Sequence, residues 1–428
     1  MILRGGDGAG AAAMAAALEE AWRAGSVVGV AGPGEEGRLA EALGPDPAGL
    51  AGQFGLGPGV VVGSGGSSGD RRWCLQPLAH LQAAAAATGA WLEDLGLDPS
   101  ACHHLNALPL HHVSGLLPLV RCRQWGASLG WLAPALLRQP EGLLEAALLP
   151  RDRPVLLSLV PTQLARLLAS ESGRAWLAGC RVIWVGGAPL PPALVAAARR
   201  LGLPLAPCYG ATETAAMVTA LPPLRFLGGE GGCGGPLGDV RLRIGAGGAL
   251  EVRTGRLSPG WVAGGALQPL PQAEAGWWRS GDAAVLAADG SLRLLGRLDG
   301  ALLSGGETVF PEALEARLLE EAAAAGLPLG AVLLLGEEDP SWGQRLVALV
   351  RPGPPMDHEA DRQEDPIADP QRLLADLEAL VAAWPPAERP RRWRLCPSLA
   401  PTAAGKWERS RWRRWWAEAP RTDAAPPN

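Results

Sequence analysis

"RPVLLSLVPTQLARLLA" (153–169) and "CRVIWVGGAPLPPALVAAARRLG" (180–202) each pass from a short apolar run, through a turn, into a segment with helical periodicity. An apolar run this short, with no polar alternation, reads as a strand buried on both faces. Such strands belong to parallel sheets covered by helices. The same strand–turn–helix reading applies to "LPLAPCYGATETAA" (203–216) and, upstream, to "SVVGVAGPGEEGRLAEALG" (26–44). Residues 11–24 are alanine-rich and read as helix, and "GVVVGSGGSSGD" (59–70) reads as a buried strand entering a polar glycine loop. The repetition predicts a large N-terminal domain of doubly wound α/β subdomains.

Beyond residue 225 the texture changes. "GGEGGCGGPLGDVRLRIGAGGALEVRTG" alternates over short runs joined by glycine turns, which predicts a small antiparallel, barrel-like part. "GSLRLLGRLDGALLSGGETVFPEALEARLLEEAAAAG" returns to strand, turn and helix. The boundary is placed at Asp299, giving a domain of residues 1–298 and a smaller, mobile α+β domain of residues 299–428. The proline- and acid-rich segment 351–371 reads as a mobile surface loop. No internal repeat is evident.

Composition limits the function classes. With 428 residues there is room for two or three domains, and 48% apolar with 19% charged residues suits an ordinary core. A net charge of −5 argues against bulk nucleic-acid binding. The seven cysteines form no C-x-x-C pair and read as reduced thiols of a cytoplasmic protein. There is no charged-then-apolar leader, and no apolar run nears the ~20 residues that span a bilayer. Oligomeric state is not legible. Lysine and tyrosine are scarce where arginine and alanine abound, the mark of a GC-rich genome, so the sole lysine, Lys406, and the sole tyrosine, Tyr209, gain meaning only from context.

Several stretches carry chemistry and also have plain alternatives. "VAGPGEEG" fits G-x-G-x-x-G through Gly32, Gly34 and Gly37, but Glu35 and Glu36 would oppose a pyrophosphate at the helix N-terminus, which favours an ordinary turn. "GSGGSSGDRR" (63–72) offers close backbone approach, hydroxyls and the cation Arg72, which suits a polyphosphate or simply a flexible turn. The histidines of "PLHHVSGLLPLVR" (109–121) lack zinc spacing, leaving one histidine at a cleft mouth. "CYGATETAA" (208–216) sets an aromatic face and a carboxylate after a strand, where a base and Mg²⁺ beside phosphates can be held. Asp282 and Arg297 could bind ribose hydroxyls or be surface residues. "ERSRWRRWW" (408–416) reads as a helix whose tryptophans pack on its own domain.

In their order these motifs resemble the adenylate-forming superfamily of acyl-CoA ligases, luciferases and peptide-synthetase adenylation domains. "SGGSSGDRR" resembles its phosphate loop, "PLHHVSG" its histidine motif, "VGGAPLP" its acyl-pocket strand and "YGATET" its Y-G-x-T-E motif. "SGD", "GRLDGALLSGGETVFPEALE" and "PTAAGK" complete the set, over roughly residues 55 to 415. The first 50 residues match poorly and the chain is short for the group, so an N-terminal part reads as trimmed.

The resemblance implies ATP, Mg²⁺ and CoA as bound partners, a small-molecule carboxylic acid as substrate, no nucleic acid and no membrane span. It implies that Ser64, Ser67, Ser68, Gly69 and Arg72 hold the β- and γ-phosphates. Tyr209, followed by Gly210, stacks on adenine; Thr212 meets the α-phosphate; Glu213 binds Mg²⁺; Asp282 and Arg297 bind ribose. Asp299 is the hinge and Gly305 lies on the pantetheine path. Lys406 is the lysine of the first half-reaction, and His112 belongs with Lys406, Thr212 and Glu213 among the catalytic residues. The loop departs from the family by ending Arg71-Arg72 rather than Pro-Lys, and by Gly66 in a hydroxyl position.

The brevity of the chain, "PLHHVSGLLPLVR" and "VPTQLARLL" resemble the o-succinylbenzoate–CoA ligases of menaquinone and phylloquinone synthesis. That resemblance places Arg121 on the carboxylate that is not activated, with Ser114 and Gly187 as pocket partners. Another aryl or medium-chain acyl-CoA ligase, or a nucleotide-binding member without catalysis, stays open. A carrier-domain adenylation unit is disfavoured because no carrier segment follows residue 428.

Overall fold

The structure is a computed structural model that describes residues 1–4, 9–45, 55–64, 71–145, 149–274, 276–353, 370–401 and 407–418. Ser67, Ser68, Gly69, Lys406 and most of the acid-rich segment lie outside the described residues. Two compact units emerge. The first holds residues 1–190, 197–280 and 285–293; the second holds 191–196, 281–284 and 294–428.

The apolar runs that decide the fold form a seven-stranded sheet in the first unit. Its order is Gly235–Pro236, Ala216–Ala220, Leu205–Ala211, Val182–Val185, Val155–Leu159, His103–Asn106, Ser128–Trp131. From Leu205–Ala211 to Ser128–Trp131 neighbouring strands are parallel. Every residue of Val155–Leu159 and Val182–Val185 is buried, the reason these strands read as unbroken apolar runs.

The expected third helix is corrected. Strand Leu205–Ala211 is followed by a single 3₁₀ turn, Thr212–Thr214, and then by strand Ala216–Ala220 running antiparallel to it. The reversal passes through Ala215 and Ala216 with φ of 52° and 71°, a left-handed pair that no helix could continue through. Tyr209 and Gly210 therefore lie within the strand, not after it. Gly210 has a packing reason: a Cβ there would overlap the Ala216 carbonyl of the returning strand.

A six-stranded sheet, ordered Ile2–Arg4, Val27–Ala31, Gly59–Ser64, Arg72–Pro77, Gly260–Ala263, Ala266–Pro269, is mixed. Its first three strands are parallel and the rest antiparallel. The purely parallel expectation thus holds for the βαβ repeats and fails where the chain returns by hairpins. A five-stranded sheet follows the change of texture at residue 225, with Val240–Ile244, Ala249–Thr254, Trp277–Leu286 and Gln272–Glu274 in order and Leu292–Arg297 beside Trp277–Leu286; its first two strands pair antiparallel, as do Trp277–Leu286 and Gln272–Glu274.

Helix Val113–Trp125 ends on Gly126 at φ 71°, a left-handed cap. Pro118 inside it removes the donor that the Ser114 carbonyl would otherwise accept. One core of the unit joins helices Ala9–Arg23, Leu78–Asp94 and Val113–Trp125 to strands Val27–Ala31 and Gly59–Ser64 through Leu18, Val28, Val60, Leu81 and Leu116.

The second unit is built on a sheet of Glu307–Val309, Leu302–Ser304, Gly343–Pro352 and Leu329–Asp339, with Arg392–Leu395 parallel to Gly343–Pro352. Its two long strands alternate, so each sheet face has its own core. One face packs Leu314, Leu318, Leu373, Leu377 and Trp384 against Val332, Leu334 and Ala348. The other packs Trp412 and Trp416 of helix Arg409–Glu418 against Leu333, Leu335, Val347 and Leu349, which places the C-terminal tryptophans on their own domain.

Arg409 anchors the start of that last helix. Its Nη2 and Nη1 pair with Glu315 Oε2 and Oε1 at 2.8 and 2.9 Å, its Nε with Glu312 Oε1 at 3.1 Å, and Nη1 also donates to the Leu334 carbonyl at 2.7 Å. Burial pushes the Glu315 carboxyl up to about 7, with Arg409 pulling the other way.

Candidate active site

The Thr212–Glu213–Thr214 turn is gripped from four directions, all within the first unit. Gln76 Nε2 donates to the Thr212 carbonyl at 2.6 Å, and the Ser258 amide donates to the Glu213 carbonyl at 2.7 Å. Arg256, fully buried, donates from Nη1 to the Thr214 carbonyl at 2.6 Å and from Nη2 to the Met217 carbonyl at 2.9 Å, while its Nε meets Asp239 Oδ2 at 2.6 Å. Trp261 Nε1 donates to Glu213 Oε1 at 3.0 Å. Thr214 Oγ1 closes the turn by accepting the Ala211 amide at 3.0 Å. The turn is thus rigid where its carboxylate must be aimed, and Glu213 is 8% exposed. Tyr209 is buried at 9% exposure on the strand before it.

Ser64 and Arg72 face each other in register at the ends of strands Gly59–Ser64 and Arg72–Pro77. Arg72 is exposed and lies over the Trp261 ring at 4.6 Å. Trp261 therefore touches both the cation beside the loop and the carboxylate of the turn.

On the helix-motif side, His112 is the N-cap of helix Val113–Trp125, in extended conformation, with its ring centroid 4.4 Å from that of His111. Ser114 is exposed in the first turn. Arg121, on the same helix, is 4% exposed. Its Nη2 donates to Thr88 Oγ1 at 3.3 Å and its guanidinium lies 5.1 Å from the Trp184 ring, while Nε has no acceptor among the described residues. Burial pulls its pKa down to about 10, so it stays protonated at neutral pH. Trp184 also stacks near His104, whose Nε2 is 3.5 Å from Ser158 Oγ. Gly187 follows the same strand with φ 83°, a left-handed position that suits glycine.

In the second unit Asp282 Oδ1 pairs with Arg297 Nη1 at 3.1 Å, and Arg297 Nε reaches Asp299 Oδ1 at 3.3 Å. Burial works against the Arg297 charge, but the two carboxylates outweigh it and hold its pKa above the ordinary value. Gly281 at φ 81° leaves room for the guanidinium, since a Cβ there would sit 2.9 Å from Nη2. Gly305, at φ 59°, turns its Cα toward the Trp342 ring, which a Cβ would strike at 2.5 Å.

The structure thus brings Thr212 and Glu213 together with Arg72 through Trp261, and Asp282 together with Arg297 and Asp299. Gln76, Arg256, Ser258 and Trp261 escaped the sequence reading. Their partners are far away in the chain, 136 residues for Gln76 and 48 for Trp261, and no spacing rule links them.

Comparison with known proteins gives a consistent result. The AMP-binding enzyme family model matches residues 75–264. The 2-succinylbenzoate–CoA ligase of Enterococcus faecalis is 29% identical over 355 residues, covering 81% of this chain and 67% of the relative. A probable 2-succinylbenzoate–CoA ligase of Mycobacterium tuberculosis is 32% identical over 317 residues, covering 71% and 74%. The o-succinylbenzoate CoA synthetase of Bacillus subtilis, solved with its acyl-adenylate intermediate, superposes with a TM-score of 0.71 at 20% identity, covering 96% of this chain and 87% of that one. At that identity the superposition speaks for the fold alone.

Proposed function

This chain belongs to the AMP-binding enzymes and is an adenylate-forming acyl-CoA ligase similar to the 2-succinylbenzoate–CoA ligases; on that premise we propose that its own acid is o-succinylbenzoate, in menaquinone or phylloquinone synthesis. The observation that carries the choice of acid is Arg121. A buried guanidinium with one hydroxyl acceptor and no carboxylate partner among the described residues is costly to keep. An anion arriving with the substrate repays that cost, and a planar diacid offers a carboxylate for two-pronged pairing. The indole of Trp184 beneath the guanidinium suits an aromatic keto acid at the same place.

In this reading the distal carboxylate pairs with Arg121 and the other attacks the α-phosphorus of ATP, releasing pyrophosphate and leaving a mixed anhydride. Ser64 and Arg72, with Ser67, Ser68 and Gly69, hold the β- and γ-phosphates. Thr212 contacts the α-phosphate and Tyr209 the adenine, while Asp282 takes the ribose hydroxyls with Arg297 behind it. Glu213 fits Mg²⁺: among the described residues its Oε1 is engaged only by a neutral indole N–H, and a single carboxylate is the donor set of a Mg²⁺ that stays bound to substrate phosphates. That ion would supply charge neutralisation on the phosphates. His112 lies at the acid's entrance. Lys406 neutralises the attacking and leaving oxygens, and a turn about Asp299 then exchanges it for the thiol path past Gly305. CoA thiolate attacks the acyl carbonyl and AMP leaves.

The deciding experiment incubates the protein with MgATP, CoA and a panel of aromatic diacids and monoacids, following AMP, pyrophosphate and thioester. Thioester from o-succinylbenzoate in preference to monoacids is the expected result. Turnover of aryl or medium-chain monoacids instead selects another acyl-CoA ligase, and nucleotide binding without AMP release selects a non-catalytic member.

Arg121→Leu keeps the bulk and removes the charge. It is expected to raise the KM for the diacid about 30- to 150-fold, the ~2–3 kcal/mol of a charge-assisted pair, with the KM for ATP little changed. An unchanged diacid KM in steady-state kinetics would refute the role of Arg121.

A further inference from the structure

The glycine turn at residues 32–37 has no part in the reaction above, yet its acid is committed. Glu35 is 9% exposed. Its Oε2 accepts the Gly32 amide at 3.1 Å, and its Oε1 lies 2.9 Å from Arg71 Nη1 and 3.8 Å from Arg38 Nη2. Gly32 is necessary for this closure, because a Cβ there would sit 2.7 Å from the carboxylate and 3.0 Å from the His111 ring. The negative charge that argues against a dinucleotide at this turn is therefore turned away from the helix end and onto an arginine.

Arg71 is the first described residue after the loop 65–70. Its guanidinium lies flat on Gly63, where any Cβ would overlap it, and 5.8 Å from the Trp73 ring. Nε and Nη2 are buried with no acceptor among the described residues. Burial works against its charge, Glu35 restores part of it, and Arg38 opposes. A guanidinium has five donors in a fixed fork, and this one has, among the described residues, a single carboxylate partner and two donors unmet. Arg72, the cation singled out from sequence, is instead exposed and spread over Trp261.

We propose that Arg71 binds the terminal phosphates of the nucleotide and of the pyrophosphate product, and that Glu35 is its exchangeable counter-ion, an internal carboxylate that holds the guanidinium until a polyphosphate takes it. The proposal rests on the reading that this chain binds MgATP as a substrate. A polyphosphate has to win Arg71 from Glu35 on entry, and Glu35 recaptures it as pyrophosphate leaves. Glu35 thereby weakens the hold on both and favours product release.

The test is calorimetric titration of the full chain with MgATP, Mg-pyrophosphate and AMP. Glu35→Gln is expected to bind MgATP and Mg-pyrophosphate about fivefold to tenfold more tightly with AMP unchanged, the size of one charge-assisted contact no longer contested. Arg71→Gln is expected to weaken both polyphosphates by a similar factor, and the double variant should match Arg71→Gln alone. Unchanged or weaker pyrophosphate binding in Glu35→Gln, an equal change for AMP, or a gain that persists in the Arg71→Gln background overturns the proposal. Should Glu35→Gln fail to fold, Arg71→Gln still decides, since unchanged pyrophosphate affinity in it also overturns the idea. Wild-type protein that binds MgATP yet makes no acyl-adenylate from any acid would sink the ligase reading while leaving these titrations to judge the counter-ion.

Discussion

Lys406→Ala is expected to slow acyl-adenylate formation about 10²- to 10³-fold, a loss of ~2.7–4 kcal/mol of transition-state stabilisation. Adenylation gathers negative charge on the attacking carboxylate, the α-phosphate and the departing pyrophosphate together. A compact ammonium on a flexible stem can sit among those oxygens, and the wider planar guanidinium cannot take the same point without displacing one of them. On that assignment one lysine has a reason to persist in a chain otherwise given over to arginine, and Lys406→Arg is expected not to restore the rate. The two half-reactions separate the role from general damage. ATP–pyrophosphate exchange should collapse, while CoA attack on supplied acyl-adenylate should keep most of its rate. Near-normal exchange in Lys406→Ala would refute the assignment.

Arg256→Leu is expected to cost about 2–5 kcal/mol of stability, mainly because the two buried carbonyls it serves lose their donor at ~1–3 kcal/mol each, Asp239 being exposed enough for water to solvate it. The side chain is fully buried, its Nε pairs with Asp239, and its two terminal nitrogens take the carbonyls of Thr214 and Met217. Those carbonyls bracket Ala215 and Ala216, both left-handed without being glycine. Such residues cost of order 1–3 kcal/mol each and persist only where their surroundings over-determine them. Without Arg256 the reversal can relax, and Glu213 with it. Adenylation should therefore fall alongside the denaturation midpoint. Arg256→Lys keeps the charge on Asp239 but cannot span both carbonyls, so partial recovery is expected. A loss below ~1 kcal/mol by urea titration would show that the turn stands without this residue.

The α/β repeats were legible because a strand buried on both faces must be apolar throughout, as Val155–Leu159 and Val182–Val185 are. The segment 203–216 misled for a physical reason: "ATETAA" has good helix formers, and only tertiary contacts from Gln76, Arg256 and Ser258 turn it back into a strand. The order of motifs gave the family, and Asp282 and Arg297 do stand together. The pairing of Glu35 with Arg71 was half legible. The carboxylate's mismatch with a phosphate site is visible in the sequence, but the arginine that takes it up lies far along the chain, just before strand Arg72–Pro77. Lys406 and three residues of the phosphate loop, Ser67, Ser68 and Gly69, rest on motif order alone.

Arg409 follows Lys406 by three residues and is fastened by Glu312 and Glu315. Three peptide links reach at most about 11 Å. The backbone of the chain's only lysine is therefore held within that reach of Arg409, and any longer journey must be made by the body to which it is tied. On the proposed reaction, an exchange of Lys406 between two chemical steps would need rotation of a whole unit, on the slower clock that such rotations keep.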